Sequence, residues 1–504
     1  MPKPNILLLF TDMQRFDTIG ALNNPTIQTP NLNRLVQEGI SFTSAYSPCP
    51  VCVPARWCMH YGQYARKSGL YVNGGMPKDN GKSLPAVLRE VGYTTSAIGK
   101  CHFTPDKLAM RGFQSRQVQE EGCSDPSTDD YCKFLVENGL SSDEPHGTRG
   151  EMYYIPQVSQ YSEEFHPSAW VGTKSIEFIN KQQKEDNPWF LFSSFIHPHP
   201  PCAPPKPWHK LYRARLMQYA NVPDSSEDLY CWINRHQNRY KYRDQGIDKN
   251  LLRTFKAYYY ATISFVDYQV GRILDALEIA GQLDNTLILF TSDHGELLGD
   301  YNCFGKRSMH DGSSRVPMIV RYPESFSPGE VYKQPVSLVD LFPTFASEAG
   351  ADISDLDLDG EKLTDLTNGK SHREYVYSQF EEGQKGIYMI VGEEWKYVYS
   401  AGDRREFLFD RINDPKETTN KAGTMLLKNI QDKLKNALLG YLKRENAKDA
   451  YIATEQGLDW KEYPKLDMSY LDNLDAELII QDHDAILFDH DGYIPGGYVF
   501  CDGR

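Results

Sequence analysis

The sequence predicts an α/β protein with a large, mostly parallel central sheet flanked by helices. A smaller α+β unit of antiparallel strands and a helix follows towards the C-terminus. Three observations carry this. Short apolar runs are bounded by turn residues, as buried parallel strands are. Amphipathic helical stretches lie between them. After about residue 370 the texture changes to closely spaced strand-like segments, so we divide the chain into units at 1–370 and 371–504.

"NILLLF" (Asn5–Phe10) reads as the first strand, and "PNLNRLVQEG" as a helix opened by Pro30 and closed by Gly39. Further strands are Thr94–Lys100, Trp189–Ile196, Asn285–Gly295 and "VPMIVRYP". The stretch 254–281 is a long helix with Ile263, Val266, Val270, Ile273, Leu274 and Leu277 on one stripe. Residues 104–165 and 201–250 break the pattern and are expected to be loops or insertions around the mouth of a site. "GIYMIVGEEWKYVYSA" and "EFLFDRINDP" read as adjacent antiparallel strands, and "TMLLKNIQDKLKNALLGYLKRE" as the helix behind them. The last 50 residues are acidic and Tyr-rich, and "DHDAILFDHDGYIPGGYVFCDGR" has enough apolar side chains to dock on its own protomer or on a neighbouring subunit.

Composition narrows the function classes. The 504 residues are 40% hydrophobic and 24% charged, ordinary for a globular protein with a sizeable core. Lys plus Arg is 54 against 68 Asp plus Glu, a formal charge of −14 that argues against nucleic acid as a partner. It leaves room for a small anionic substrate, because a few local cations dominate a cleft. No run reaches the roughly 18 apolar residues of a membrane span. "MPKPNILLLFTDMQ" carries one Lys and no small-residue cleavage site, so it reads as a strand rather than a signal peptide. The expectation is a cytoplasmic protein, the other reading being a periplasmic one whose leader has been removed.

In an open α/β sheet, ligands collect at the carboxyl ends of strands. There the sequence puts Asp12 ("FTDMQ"), Asp293 and His294 ("TSDHG"), Lys100 and His102 ("GKCHF"), and His197 and His199 ("SFIHPHPP"). Two aspartates on separate strand ends suit a hard divalent cation. Taken singly, an Asp there is as ordinary as a helix cap, and a His beside prolines as a backbone partner. Lys306 lies a short loop beyond Asp293, where a solvated lysine is the ordinary alternative. The ten cysteines fit neither a disulfide framework nor a paired-CxxC zinc site. Those at 101, 123, 132, 202, 231, 303 and 501 read as inert thiols. The densest cluster is "YSPCPVCVPARWCMHYG", with Cys49, Cys52 and Cys58.

Within it, "Cys52-Val53-Pro54-Ala55-Arg56" resembles the Cys-x-Pro-Ser/Ala-Arg signature of the type I sulfatases of the alkaline phosphatase superfamily. "NILLLFTDMQRFDTIG", "AIGKCHF", "SFIHPHPP", "FTSDHGELLGD", "GKRSMHDGSSRVPMIVRYP", "VSLVDLFPTFASEAG" and "LFDRINDPKETTN" resemble that family's landmarks in order, over roughly residues 4 to 425. The resemblance implies an alkaline phosphatase-like fold and sulfate-ester hydrolysis. It implies that Cys52 is converted to Cα-formylglycine by a formylglycine-generating (sulfatase-maturating) enzyme. The hydrated aldehyde attacks sulfur through one hydroxyl, and its second hydroxyl expels sulfate without water attacking sulfur.

By the same resemblance, Asp12, Asp293, His294 and the residue-52 oxygen hold a divalent metal. Ca²⁺ comes first, with Mg²⁺ or Mn²⁺ left open by the histidine. Arg56 holds the diol, and Lys100 and Lys306 neutralise charge on the sulfuryl group. His102 is the base that releases sulfate and His199 the acid for the leaving alcohol, two assignments that can be exchanged. The sequence departs from the family at three places. Met13 stands where a second acidic or amide ligand is common, with Gln14 offset by one; Ala55 replaces the usual Ser; and Tyr61-Gly62 stands where Thr-Gly commonly follows.

The substrate implied is a small sulfate ester. A sulfated sugar such as a glycosaminoglycan-derived mono- or disaccharide leads, and aryl and choline sulfates also fit. "KPWHKLYRARLMQ" either supplies cations for a uronate carboxylate or is a solvated basic loop. Two other readings stand beside this one: a phosphonate monoester or phosphodiester hydrolase with the same nucleophile, and an unmodified, non-catalytic binder of sulfated sugars.

Overall fold

A computed structural model of the chain describes residues 3–149, 153–242 and 248–469. The C-terminal stretch proposed to dock, Cys501 included, lies outside the described residues.

The main sheet has eight strands: β1 (Asn5–Asp12), β2 (Ile40–Phe42), β3 (Thr94–Gly99), β4 (Ser115–Val118), β5 (Trp189–Pro198), β6 (Thr286–Ser292), β7 (Met318–Arg321) and β8 (Glu330–Tyr332). Their order across the sheet is β8-β2-β7-β6-β1-β5-β3-β4. β1 pairs in parallel with both β5 and β6, and β3 in parallel with β5 and β4. The strand read from "VPMIVRYP" is β7, and it runs antiparallel to β6 and β2.

Both faces of the sheet are covered, which is why β1 is apolar at successive positions rather than at alternate ones. Ile6, Leu8 and Phe10 pack into the core that continues towards the C-terminal unit. Leu7 and Leu9 pack on the other face, against Val266, Val270, Ile273, Leu274 and Leu277. These last residues belong to the long helix, Lys249–Ile279, which starts five residues earlier than the periodicity alone placed it. Asp248 caps it, its carboxylate accepting from the Asn250 and Leu251 amides.

The C-terminal unit contains a four-stranded antiparallel sheet, β9 (Val376–Phe380), β10 (Ile387–Val391), β11 (Trp395–Ser400) and β12 (Arg405–Asp410), in sequential order. The helix Lys428–Arg444 packs on it through Leu434, Leu438, Leu439 and Leu442. The first of the two irregular regions is more regular than the sequence suggested. It supplies β4 and the helix Asp130–Glu137, capped by the Asp129 side chain on the Cys132 amide. The second holds short 3₁₀ turns and the helix Trp232–Tyr242. Among the described residues no helix is long and apolar enough to cross a membrane.

Candidate active site

Four neighbouring strands, β3, β5, β1 and β6, end at one edge of the sheet, and their register sets the site. Leu9 sits beside Ser193 of β5 and Phe290 of β6, so the three carboxyl ends arrive together. β1 delivers Asp12, β6 leads into Asp293 and His294, β5 leads to His199, and β3 leads to Lys100 and His102. Two glycines let the backbones approach. A Cβ on Gly99 (φ +94°) would stand 1.9 Å from the Ser194 carbonyl, and one on Gly295 would stand 2.1 Å from the Gly312 carbonyl.

Opposite these ends lies the helix α1 (Cys52–Tyr61), with Cys52 as its first residue and Gly62 closing it in the left-handed region. Its sequence explains its position. Pro54 lies in the first turn, where an N–H has no intrahelical acceptor, so proline removes nothing. The first helical bond is Ala55 N–H to Val51 O, 3.1 Å. The Val53 amide is instead satisfied by Asn73 Oδ1 at 2.9 Å. Arg56, four residues after Cys52, lies on the same face, so the helix N-terminus carries a thiol and a guanidinium into one site.

Arg56 is fully buried. Its Nε donates to Asp293 Oδ2 (2.9 Å), Nη2 to Asp12 Oδ2 (3.1 Å), and Nη1 to the Lys100 carbonyl (2.6 Å) and Ser194 Oγ (3.1 Å). Lys100 Nζ bridges Asp12 Oδ2 (2.7 Å) and Glu121 Oε2 (2.6 Å). Cys52 Sγ lies 3.2 Å from His294 Nε2, 3.7 Å from Asp12 Oδ1 and 2.9 Å from Lys306 Nζ. Lys306 Nζ is also 3.3 Å from His199 Nε2. His199 Nδ1 faces the Pro200 carbonyl at 2.8 Å, so it carries the proton and leaves Nε2 as an acceptor for Lys306.

The residues fit a divalent cation. One donor atom each from Asp12, Cys52, Asp293 and His294 lie within 4.8 Å of one another, all buried. His294 Nδ1 is 3.0 Å from the Gly295 carbonyl, which fixes the proton there and turns a bare Nε2 towards the carboxylates. Burial and the neighbouring Asp12 charge push the Asp293 carboxyl up, a mutual repulsion that a cation between them relieves. Burial also works against ionising Asp12, but the Lys100 and Arg56 cations hold it well below the usual carboxylate range. Met13 offers no oxygen from its side chain. It adopts φ +65° and donates its amide to Asp293 Oδ1 at 3.1 Å. Gln14 Nε2 donates to Thr18 Oγ1.

As a thiol, Cys52 is a poor nucleophile: burial and the Asp12 charge push its pKa well up. Burial takes His199 down to about 3 and holds His102 well below the ordinary histidine value, so both are neutral at pH 7. The His102 amide is held by both Glu120 oxygens (3.0 and 3.1 Å), and its ring feels Lys100 and Arg56.

The remaining sequence candidates separate. His197, two residues before His199, points to the opposite side, with Nδ1 3.0 Å from Ser168 Oγ and its ring stacked on His166. Cys49 and Cys58 are buried in the large core, Cys49 Sγ reaching the Tyr71 carbonyl at 3.3 Å. No disulfide joins the nine described cysteines. Lys206, Lys210, Arg213 and Arg215 of the basic segment are exposed.

Reading the sequence missed Ser194, Asn73, Glu120, Glu121 and Arg149. Only the β3–β4 register, Ile98 beside Gln117 and Gly99 beside Val118, brings Glu120 and Glu121 next to Lys100. No local motif signals it.

Comparison with known proteins identifies the family. Residues 4–351 match the Sulfatase family, and residues 299–444 match the C-terminal family of N-sulphoglucosamine sulphohydrolase. An arylsulfatase of Clostridium perfringens is 29% identical over 473 residues, covering 88% of this chain and 95% of the relative. A choline-sulfatase of Rhizobium meliloti is 29% identical over 441 residues, 83% of this chain and 82% of the relative. The crystal structure of a phosphonate monoester hydrolase of Agrobacterium radiobacter superposes with a TM-score of 0.74 at 25% identity, over 92% of this chain and 100% of that one. With a family match spanning more than two thirds of its length, and with the alkaline phosphatase-like sheet beneath it, the chain belongs to the sulfatase family of hydrolases.

Proposed function

We propose that the protein hydrolyses the sulfate ester of a small anionic substrate, with residue 52 as the nucleophile after a maturation enzyme converts Cys52 to formylglycine. The observation that carries this is the position of Cys52 Sγ. It stands where the metal donors Asp12 and His294 meet the cation Lys306. Asp12, Asp293, His294 and the hydrated residue 52 would hold a divalent cation, Ca²⁺ before Mg²⁺ or Mn²⁺, which would acidify the nucleophile and polarise an oxygen of the ester.

The chain's own residues supply the rest. Arg56 keeps both aspartates turned to one point. Lys100 and Lys306 provide positive charge for a sulfuryl group, and their burial strengthens it. The Lys306–His199 pair can pass a proton to an oxygen leaving at its side, and His102 is the proposed base for releasing sulfate.

For the substrate we favour a sulfated sugar, such as a glycosaminoglycan-derived mono- or disaccharide. The match of residues 299–444 to a sulphoglucosamine sulphohydrolase family supports it. The likeness to a phosphonate monoester hydrolase favours a second reading with the same nucleophile. Mass spectrometry of the peptide carrying Cys52, isolated from the native host, should show formylglycine; a thiol throughout would mean a non-catalytic binder. Activity is then compared on sulfated disaccharides, an aryl sulfate and an aryl phosphonate monoester. The sulfate esters should give the higher kcat/KM, and a far larger value for the phosphonate would reverse the assignment.

A further inference from the structure

We propose that Glu121 is a specificity-determining residue that tunes the site to esters carrying one negative charge and against those carrying two. The inference rests on the hydrolase reading above but not on whether sulfur or phosphorus is attacked. Glu121 follows β4, whose parallel pairing with β3 carries it to the far side of Lys100. Its side chain is 5% exposed. Oε2 lies 2.6 Å from Lys100 Nζ, while Oε1 lies 2.8 Å from Arg149 Nη1 and 3.4 Å from His199 Nδ1. Its neighbour Glu120 has a different task, holding the Cys101 and His102 amides. The two differ in their direct contacts: Glu120 holds backbone amides and pairs with Arg116 at 3.4 Å, whereas Glu121 touches Lys100 and Arg149.

The charges show what Glu121 does there. Among the described residues the connected cluster contains the cations Arg56, Lys100, Arg149 and Lys306 and the anions Asp12, Asp293 and Glu121. A divalent cation would add two positive charges, so without Glu121 these described residues and the cation together would carry a surplus of four. A surplus of that size favours whichever ester brings more negative charge. A phosphate monoester is a dianion above its second pKa of about 6, whereas a sulfate ester and a phosphonate monoester are monoanions.

Glu121 lowers the surplus without occupying the position at which the ester reacts. A substrate oxygen touching Lys100 Nζ lies within about 6 Å of Glu121 Oε2, and at an effective dielectric near 20 one unit charge at that range changes a mono- versus dianion preference by up to roughly a hundredfold. About tenfold is the effect expected once mobile ions screen the site.

The test uses matured enzyme with its formylglycine content quantified, and kcat/KM for 4-nitrophenyl sulfate, 4-nitrophenyl phosphate and an aryl phosphonate monoester, at a pH where the phosphate is a dianion. Glu121→Gln should raise the phosphate-to-sulfate ratio about tenfold and leave the phosphonate-to-sulfate ratio unchanged. Glu121→Asp, which keeps the charge, should stay near wild type. Arg149→Met, which leaves the Glu121 charge less neutralised, should move the phosphate ratio the opposite way and keeps the test decisive if Glu121→Gln does not fold. A phosphate-to-sulfate ratio unmoved in both Glu121→Gln and Arg149→Met, with all three activities falling together, overturns the proposal and makes Glu121 a packing residue. A matured wild-type enzyme inactive on all three esters refutes the hydrolase reading instead.

Discussion

Replacing Arg56 with alanine should separate the structural role of this side chain from the cation's. Its guanidinium makes four hydrogen bonds, two of them to Asp12 and Asp293, and all three side chains are fully buried. Arg56→Ala leaves two carboxylates buried and facing each other, and breaking a buried pair from one side costs about 3–5 kcal/mol. One kcal/mol shifts Tm by about 2–4 °C in domains of 150–250 residues. At this length the figure falls to roughly 1–2 °C, so the variant should melt about 3–10 °C below wild type in chelator.

A divalent cation takes over part of the neutralisation. With saturating Ca²⁺ the gap between variant and wild type should therefore narrow by a third or more, even though turnover remains at least about a hundredfold reduced. Calorimetry of both proteins, with and without metal, checks this. A gap that is the same in chelator and in Ca²⁺ would refute the reasoning, because the two carboxylates would then not share a cation. So would a loss below about 1 kcal/mol.

Three further outcomes follow from the same geometry. Cys52→Ala should abolish sulfate-ester turnover, whereas Cys49→Ala and Cys58→Ala should keep most of it and lose only about 1 kcal/mol of stability each, as shown by initial rates and melting curves. His294→Ala removes the Nε2 that faces Asp12 and Asp293, and should weaken divalent-metal binding at least about tenfold in a calorimetric titration of the metal alone. Lys396 is buried against Asp311 (2.8 Å) and Glu417, tying β11 to the loop after Lys306, so Lys396→Met should cost about 3–5 kcal/mol at pH 7. Despite its burial, Lys396 and Arg315 hold the Asp311 carboxyl below the ordinary range. That stabilisation is complete above the unfolded pKa of about 3.9 and is lost as pH falls towards the depressed folded value. The gap between wild type and Lys396→Met should therefore be widest near neutrality and close below about pH 4 in pH-dependent melts.

What the sequence made legible was whatever local chemistry dictates. An apolar run buried on both faces marks a parallel strand, so β1, β3, β5 and β6 could be found, and with them Asp12, Lys100, His199 and Asp293 at their ends. Cys52 and Arg56 stood out as a signature, but the helix Cys52–Tyr61 that sets both on one face emerges only in the structure. Less legible was anything set by pairing between distant strands. β7 looks like its parallel neighbours because a central strand is equally apolar in either direction. β4, with the pattern exposed, half-buried, half-buried, buried, has too little apolar character to stand out. His197 and His199 could not be told apart by composition. The shift in the β1–β5 pairing between Ser194 and Pro198, and the bend that begins at His199, leave one on Ser168 and the other on Lys306.

The same distinction bears on where substrate preference is encoded. The strand-end residues and Arg56 are fixed by sheet register and by one another, and on the proposed reading they would offer the same metal donors and cations to any tetrahedral anionic ester. The two irregular regions are tied to that set from outside. The first brings Glu120, Glu121 and Arg149 to Lys100, His102 and His199. The second brings Gln237, whose Nε2 donates to the Lys306 carbonyl at 2.6 Å. A change in either region would alter the charge or position of a proposed reacting group without disturbing a proposed metal donor. A structural neighbour at 25% identity named a phosphonate monoester hydrolase superposes on this sheet, so on the proposed reading a preference of this chain between ester classes would be set in the surrounding layer.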